Sequence, residues 1–134
     1  MVGDDMREEI QVKTLGPAIS HYTDAVRFGD LLFISGMVAW DQDGNVVGKD
    51  DVVAQTEKIF DSMGQILAHG GCSFADVLTV TVFLKNIADR EKINPVRERI
   101  FGNTRPASTL VEVSKLVYPD LMIEINAIAG IPGN

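Results

Sequence analysis

The sequence predicts an α+β fold, one mixed β-sheet with two helices packed on a single face. Three observations carry this reading. Runs of β-branched residues recur in four places, and one long stretch spaces its apolar residues at helical intervals. The elements follow in the order hairpin, helix, strand, helix, strand, strand, which suits a single sheet backed by helices.

The hairpin comes first. Ala25-Val26-Arg27-Phe28 and Leu31-Leu32-Phe33-Ile34-Ser35 flank Gly29-Asp30, where glycine supplies the positive φ of a two-residue turn without a Cβ clash. After Ser35-Gly36 the chain passes Trp40 into Asp41-Gln42-Asp43-Gly44-Asn45, a polar loop. From about Val52 to His69 the residues Val52, Val53, Ile59, Phe60, Met63, Ile66 and Leu67 fall on one helical stripe. Asp50 or Asp51 can cap this helix, and Gly70-Gly71 can end it in a left-handed turn. Val77 to Leu84 alternates threonine with valine, as a strand covered on one side does.

A second helix is expected over Ala88 to Phe101, with Asn94-Pro95 in its middle. Either it begins there, with Asn94 as cap and Pro95 in the first position, or it is kinked. Ser108 to Val113 and Leu121 to Ala129 read as closing strands, linked through Tyr118-Pro119-Asp120. No remaining segment is long and amphipathic enough to cover the sheet face turned away from the helices. Neighbouring subunits are expected to cover it.

Composition narrows the class. The chain has 134 residues, 46% of them hydrophobic, enough for one core, so residues 1–134 are expected to form a single domain, with 1–9 a poorly ordered N-terminus. A net charge of −7 and the lack of a basic run argue against a nucleic-acid partner. The single cysteine, Cys72, has no disulfide partner, and with only His21 and His69 beside it there is no ligand set for structural zinc. No metal or cofactor is expected. The acidic start lacks the features of a secretion signal, and no apolar run approaches the roughly 20 residues of a membrane span. A cytoplasmic location without a membrane partner is the resulting expectation.

Five segments carry a resemblance to a known family. Leu32-Phe33-Ile34-Ser35-Gly36, Thr81-Val82-Phe83-Leu84, Arg105-Pro106-Ala107, Val111-Glu112-Val113 and Ile123-Glu124-Ile125-Asn126-Ala127-Ile128-Ala129 resemble the RidA/YjgF/L-PSP family in order and spacing, over about Ala18 to Ala129. The resemblance implies a chorismate mutase-like fold, a homotrimer, and clefts for a small-molecule metabolite between subunits. Members hydrolyse reactive enamines and imines to keto acids and ammonia without metal or cofactor. Others are described as translation inhibitors with ribonuclease activity. In the deaminating branch an arginine that grips the substrate carboxylate follows the Pro-Ala pair, and here Ser108 stands in that place. One charged hydrogen bond of that kind is worth about 1.5–3 kcal/mol.

Individual residues admit two readings each. Glu124 interrupts an apolar strand, where its acid form is favoured, and it matches the family glutamate that handles the hydrolytic water. The plainer reading is a structural carboxylate bound to backbone amides or an interface arginine. Tyr22 matches a cleft tyrosine, or is an interface aromatic. Asn94 matches a cleft asparagine, or is the helix cap. Ser35, Gly36, Thr79 and Ser108 fall at positions assigned to the substrate cleft by resemblance. Arg105 reaches either a ligand or a neighbouring subunit, and Met37 with Trp40 suggests an apolar pocket. The function expected is a RidA-like deaminase-type hydrolase acting on an imine, an enamine or a related amine-bearing metabolite. The alternatives are a non-catalytic ligand-binding or protein-interaction member, and an L-PSP-like ribonuclease.

Overall fold

The structure is a computed structural model that describes residues 6–133. Six strands form one sheet in the order β1-β2-β3-β6-β4-β5. They are β1 (Arg7–Ile10), β2 (Ala25–Phe28), β3 (Leu31–Val38), β4 (Val77–Leu84), β5 (Ala107–Glu112) and β6 (Ile123–Gly130). Helices α1 (Val52–His69) and α2 (Arg90–Phe101) complete the set. Only β4 and β5 run parallel, joined by the α2 crossover, so the sheet is mixed as the element order predicts. No helix among the described residues is long and apolar enough to cross a membrane.

The period-two pattern sorts the sheet into two faces. Ile123, Ile125, Ala127 and Ala129 of β6 and Val80, Val82 and Leu84 of β4 are buried on one face. Helix α1 seals this side with Ile59, Phe60, Met63, Ile66 and Leu67, each 0–2% exposed. Burying one such side chain contributes about 1.5–3 kcal/mol. Phe60, Phe74 and Phe101 meet edge to face, with centroids 5.6 Å, 5.7 Å and 5.9 Å apart, which fixes α2 against α1.

The opposite face is open. The pairings Phe33↔Ile128, Thr79↔Ile128, Thr81↔Asn126 and Phe83↔Glu124 place these side chains on it together. Leu31, Phe33, Leu78 and Val111 are 37%, 40%, 53% and 38% exposed. The missing cover inferred from the sequence is thus real within one chain.

Local details follow the residue chemistry. Gly29 turns the first hairpin at φ 58°. Asp51, not Asp50, caps α1 by accepting from the Ala54 N–H at 3.0 Å. Gly71 at φ 79° supplies the left-handed residue after the helix.

One expectation needs correction, and one open alternative is decided. Residues 7–9, expected to belong to a poorly ordered lead-in, form β1 together with Ile10, paired with β2 from Arg7↔Phe28 to Ile10↔Ala25. Val12 anchors it, buried and donating its N–H to Asp24 Oδ2 at 2.8 Å. Arg7-Glu8-Glu9 hides this strand because an edge strand carries charge on both faces. Residues 1–5 of that expected lead-in lie outside the described residues. Asn94 is also not a cap: α2 starts at Arg90, after a 3₁₀ turn at Ile87–Asp89, and runs through Pro95. Pro95 is exposed, so water can satisfy the carbonyl that its missing N–H leaves free.

Candidate functional site

The site begins at a bulge. Between Ile34↔Ala127 and Met37↔Ile125, strand β3 spends two residues, Ser35 and Gly36, against one on β6. Ser35 is pinned there: its hydroxyl donates to the Thr23 carbonyl at 2.6 Å and its N–H to the Asp24 carbonyl at 3.0 Å. Gly36 lets the carboxyl group lie against the bulge, since a Cβ on it would collide with Glu124 Oε2 and come within 2.8 Å of Glu124 Cδ, so the flexible side chain would have to swing aside. The glycine makes room for the carboxyl group.

Glu124 and this bulge open into a cleft of about 350 Å³, lined also by Ile19, Ser20, Tyr22, Val38, Trp40 and Val117. No lining residue is a cation. Among the described residues nothing donates to the Glu124 carboxylate or pairs with it. Burial raises its pKa above the ordinary value near 4.5, so its acid form is favoured. Among the described residues no backbone amide holds it, which leaves the plainer reading only its interface arginine. Trp40 leans on Tyr118 with ring centroids 5.5 Å apart, which stiffens one wall. Tyr22, 41% exposed, separates this cleft from a neighbouring one of about 580 Å³ that contains Arg7, Glu9 and His21.

The fold brings Tyr22, Ser35, Gly36 and Glu124 together in one cleft. Thr79 shares the open face but lies toward the far end of β6, opposite Ile128. Asn94, Arg105 and Ser108 are elsewhere, on α2 and around the start of edge strand β5, all exposed. Ser108 pairs in register with the buried Val80, so it belongs to the helix side of the sheet. Its hydroxyl accepts from Arg97 Nη2 at 2.7 Å. Met37 is a core residue, 7% exposed; it is absent from the Glu124 cleft but lines a small adjoining pocket with Tyr22, Gly36, Val38 and Trp40.

Sequence reasoning missed Ile19, Ser20, Val38, Val117 and Arg97. The first four sit in irregular segments or at a strand end, where no periodicity marks a face. Arg97 did leave a signal, because it follows Asn94 by one helical turn. Among the described residues no three His, Cys, Asp or Glu side chains gather as a metal site.

An antiparallel-dominated sheet with one βαβ crossover, two helices on one face, and an acid in a cleft at the start of a central strand define a class of small α+β proteins with an open sheet face. Within it the chain matches the family model described as Endoribonuclease L-PSP over residues 13–131. It is 37% identical to a RutC family protein of Pyrococcus abyssi over 117 residues, covering 87% of this chain and 88% of that protein. It is 34% identical to a protein of Acinetobacter baylyi named 3-aminoacrylate deaminase RutC over 113 residues, 84% of this chain and 89% of the other. The solved YjgF gene product of Escherichia coli superposes with a TM-score of 0.83 at 31% identity, covering 92% of this chain and 98% of that one. The chain belongs to the RidA/YjgF/L-PSP family.

Proposed function

We propose that this protein is a RidA-like hydrolase that deaminates a small imine or enamine in a cleft completed by neighbouring copies of a cytoplasmic homotrimer. One observation carries the reading: among the described residues Glu124 has no partner, and it stands half-buried in a cleft walled by Ile19, Val38, Trp40 and Val117, with Gly36 leaving space for its carboxyl. Deaminase names among relatives support the reaction class.

The chemistry suits one carboxyl group. An enamine first takes a proton from solvent on carbon and becomes its iminium ion. Glu124 as carboxylate then removes a proton from water as the oxygen bonds to the iminium carbon and the C=N π pair moves to nitrogen, giving a neutral carbinolamine. Glu124, now an acid, gives that proton to the nitrogen; the C–N bond breaks, ammonia leaves, and the hydroxyl proton passes to the Glu124 carboxylate and on to solvent as the C=O forms. A pKa raised by burial helps the acid half, because the carboxyl group holds more readily the proton that it returns. The Tyr22 hydroxyl, free of partners among the described residues, can donate to a polar atom of the substrate, and Trp40, Ile19 and Val117 give the cleft apolar walls.

The open face supports assembly: exposed Phe33, Leu31 and Val111 need cover that one chain lacks. The test is ammonia and keto-acid release from small imines generated in situ. Wild type is expected to be active, and Glu124→Gln to lose at least about 100-fold, the lower range of a general acid–base contribution. Equal rates would remove Glu124 from the mechanism. The ribonuclease reading is disfavoured by the net charge of −7, which repels a phosphate backbone.

A further inference from the structure

Arg97 is half-buried between α2 and the start of β5. Arg7, Lys58, Lys92 and Arg99 each reach a carboxylate; Arg97 is among the basic side chains that pair with none among the described residues, and burial sets it apart from the others. This is so in a chain with 19 acidic and 12 basic side chains. Burial lowers its pKa, and no neighbouring carboxylate counters the effect. A guanidinium partly withdrawn from water without a counter-charge is unfavourable, and an anion relieves it.

Its contacts leave hydrogen-bond donors unused. Of the five N–H donors on a guanidinium, one is fixed by Ser108 Oγ at 2.7 Å, which sets the plane of the group and leaves the rest free. Ser108 accepts in that bond, so its own O–H is free to donate beside the guanidinium. Strand β5 is the sheet edge, and no other strand closes the approach. We propose that Arg97, oriented by Ser108, forms a binding site for a single carboxylate group of the ligand. One guanidinium and one hydroxyl match a planar monoanion in fork geometry; a phosphate dianion asks for more positive charge than is gathered here.

The identity of the ligand rests on the proposed hydrolase reading, which makes it an α-imino acid and its keto-acid product. Arg97 and Ser108 lie on the helix side at one edge of the sheet, whereas Glu124 lies on the open face. One ligand therefore meets both only where the β5 edge of a second copy reaches the Glu124 cleft.

Calorimetric titration of 2-oxobutanoate and its methyl ester into wild type, R97Q, R97K and S108A tests the site. The acid is expected to bind wild type, with R97Q weakening it about 10- to 150-fold and S108A about 2- to 10-fold. The uncharged ester is expected to bind all four alike. R97K is expected to recover only part, because an ammonium lacks the fork. Failure of wild type to bind the acid, or equal affinity in wild type and R97Q, overturns the proposal. Glu124→Gln separates the two readings: it is expected to retain acid affinity while losing turnover. Thermal melts of R97Q and R97K establish that both are folded, and R97K alone still discriminates if R97Q melts early.

Discussion

At position 124 a carboxylate stands between Ile123 and Ile125, each fully buried on the core side, while its own side chain turns to the open face beside Gly36. The cost of its burial is readable as a pH effect. Below the ordinary value near 4.5 the group is neutral in both folded and unfolded chains. As pH rises through the raised native value, the unfolded chain ionises freely while the native one ionises against desolvation, so native stability falls across that window. Glu124→Gln removes the penalty. Melting curves are expected to coincide for wild type and variant at pH 4 and to favour the variant at pH 7; an equal difference at both pH values would contradict the assignment. Gly36→Ala makes a complementary prediction. Its Cβ meets the flexible end of Glu124 rather than backbone, so the protein is expected to stay folded with stability changed by about 1 kcal/mol while hydrolysis is lost.

At the scale of elements, one side chain ties the helix layer to the wall of the cleft. Gln55 on α1 is fully buried, donating to the Gly48 and Asp120 carbonyls at 3.1 Å and 2.9 Å and accepting from the Met122 N–H at 2.8 Å. It thereby holds both the loop before α1 and the turn that precedes β6. Gln55→Ala leaves three backbone groups without this partner, at about 1–3 kcal/mol for each that stays buried and unpaired. The expected result is a loss of at least about 3 kcal/mol in denaturant unfolding, with faster amide exchange around Tyr118 to Met122. A neutral variant would mean that water replaces the amide. The same layer explains Gly70, whose added Cβ would come within 2.6 Å of Leu32 Cδ2.

For the whole molecule, the open face is the dominant unsatisfied surface. Phe33 and Ile128 pair across β3 and β6 at its centre. A charge at Phe33 leaves the protomer core untouched but makes burial of that face costly. Phe33→Glu is therefore expected to run as a folded monomer by light scattering where wild type runs as a trimer, and to lose the hydrolysis that depends on a completed cleft. A monomeric wild type would end the trimer reading.

The residues themselves were enough to predict the mixed sheet, the α1 stripe, the hairpin at Gly29 and an acidic residue set in an apolar strand. Each is a local matter of period, propensity or turn chemistry, and each acts over a few neighbours in the chain. Edge strand β1 escaped because its charged residues show no two-residue period, and α2 runs through Pro95 because a water-facing carbonyl tolerates the missing donor. Tertiary structure alone decided that Ile19 and Val117 share a cleft with Tyr22 and Glu124, and that Arg97 meets Ser108. Those meetings join segments far apart in sequence, and their geometry is set by strand order, a bulge and helix packing, which no local pattern encodes.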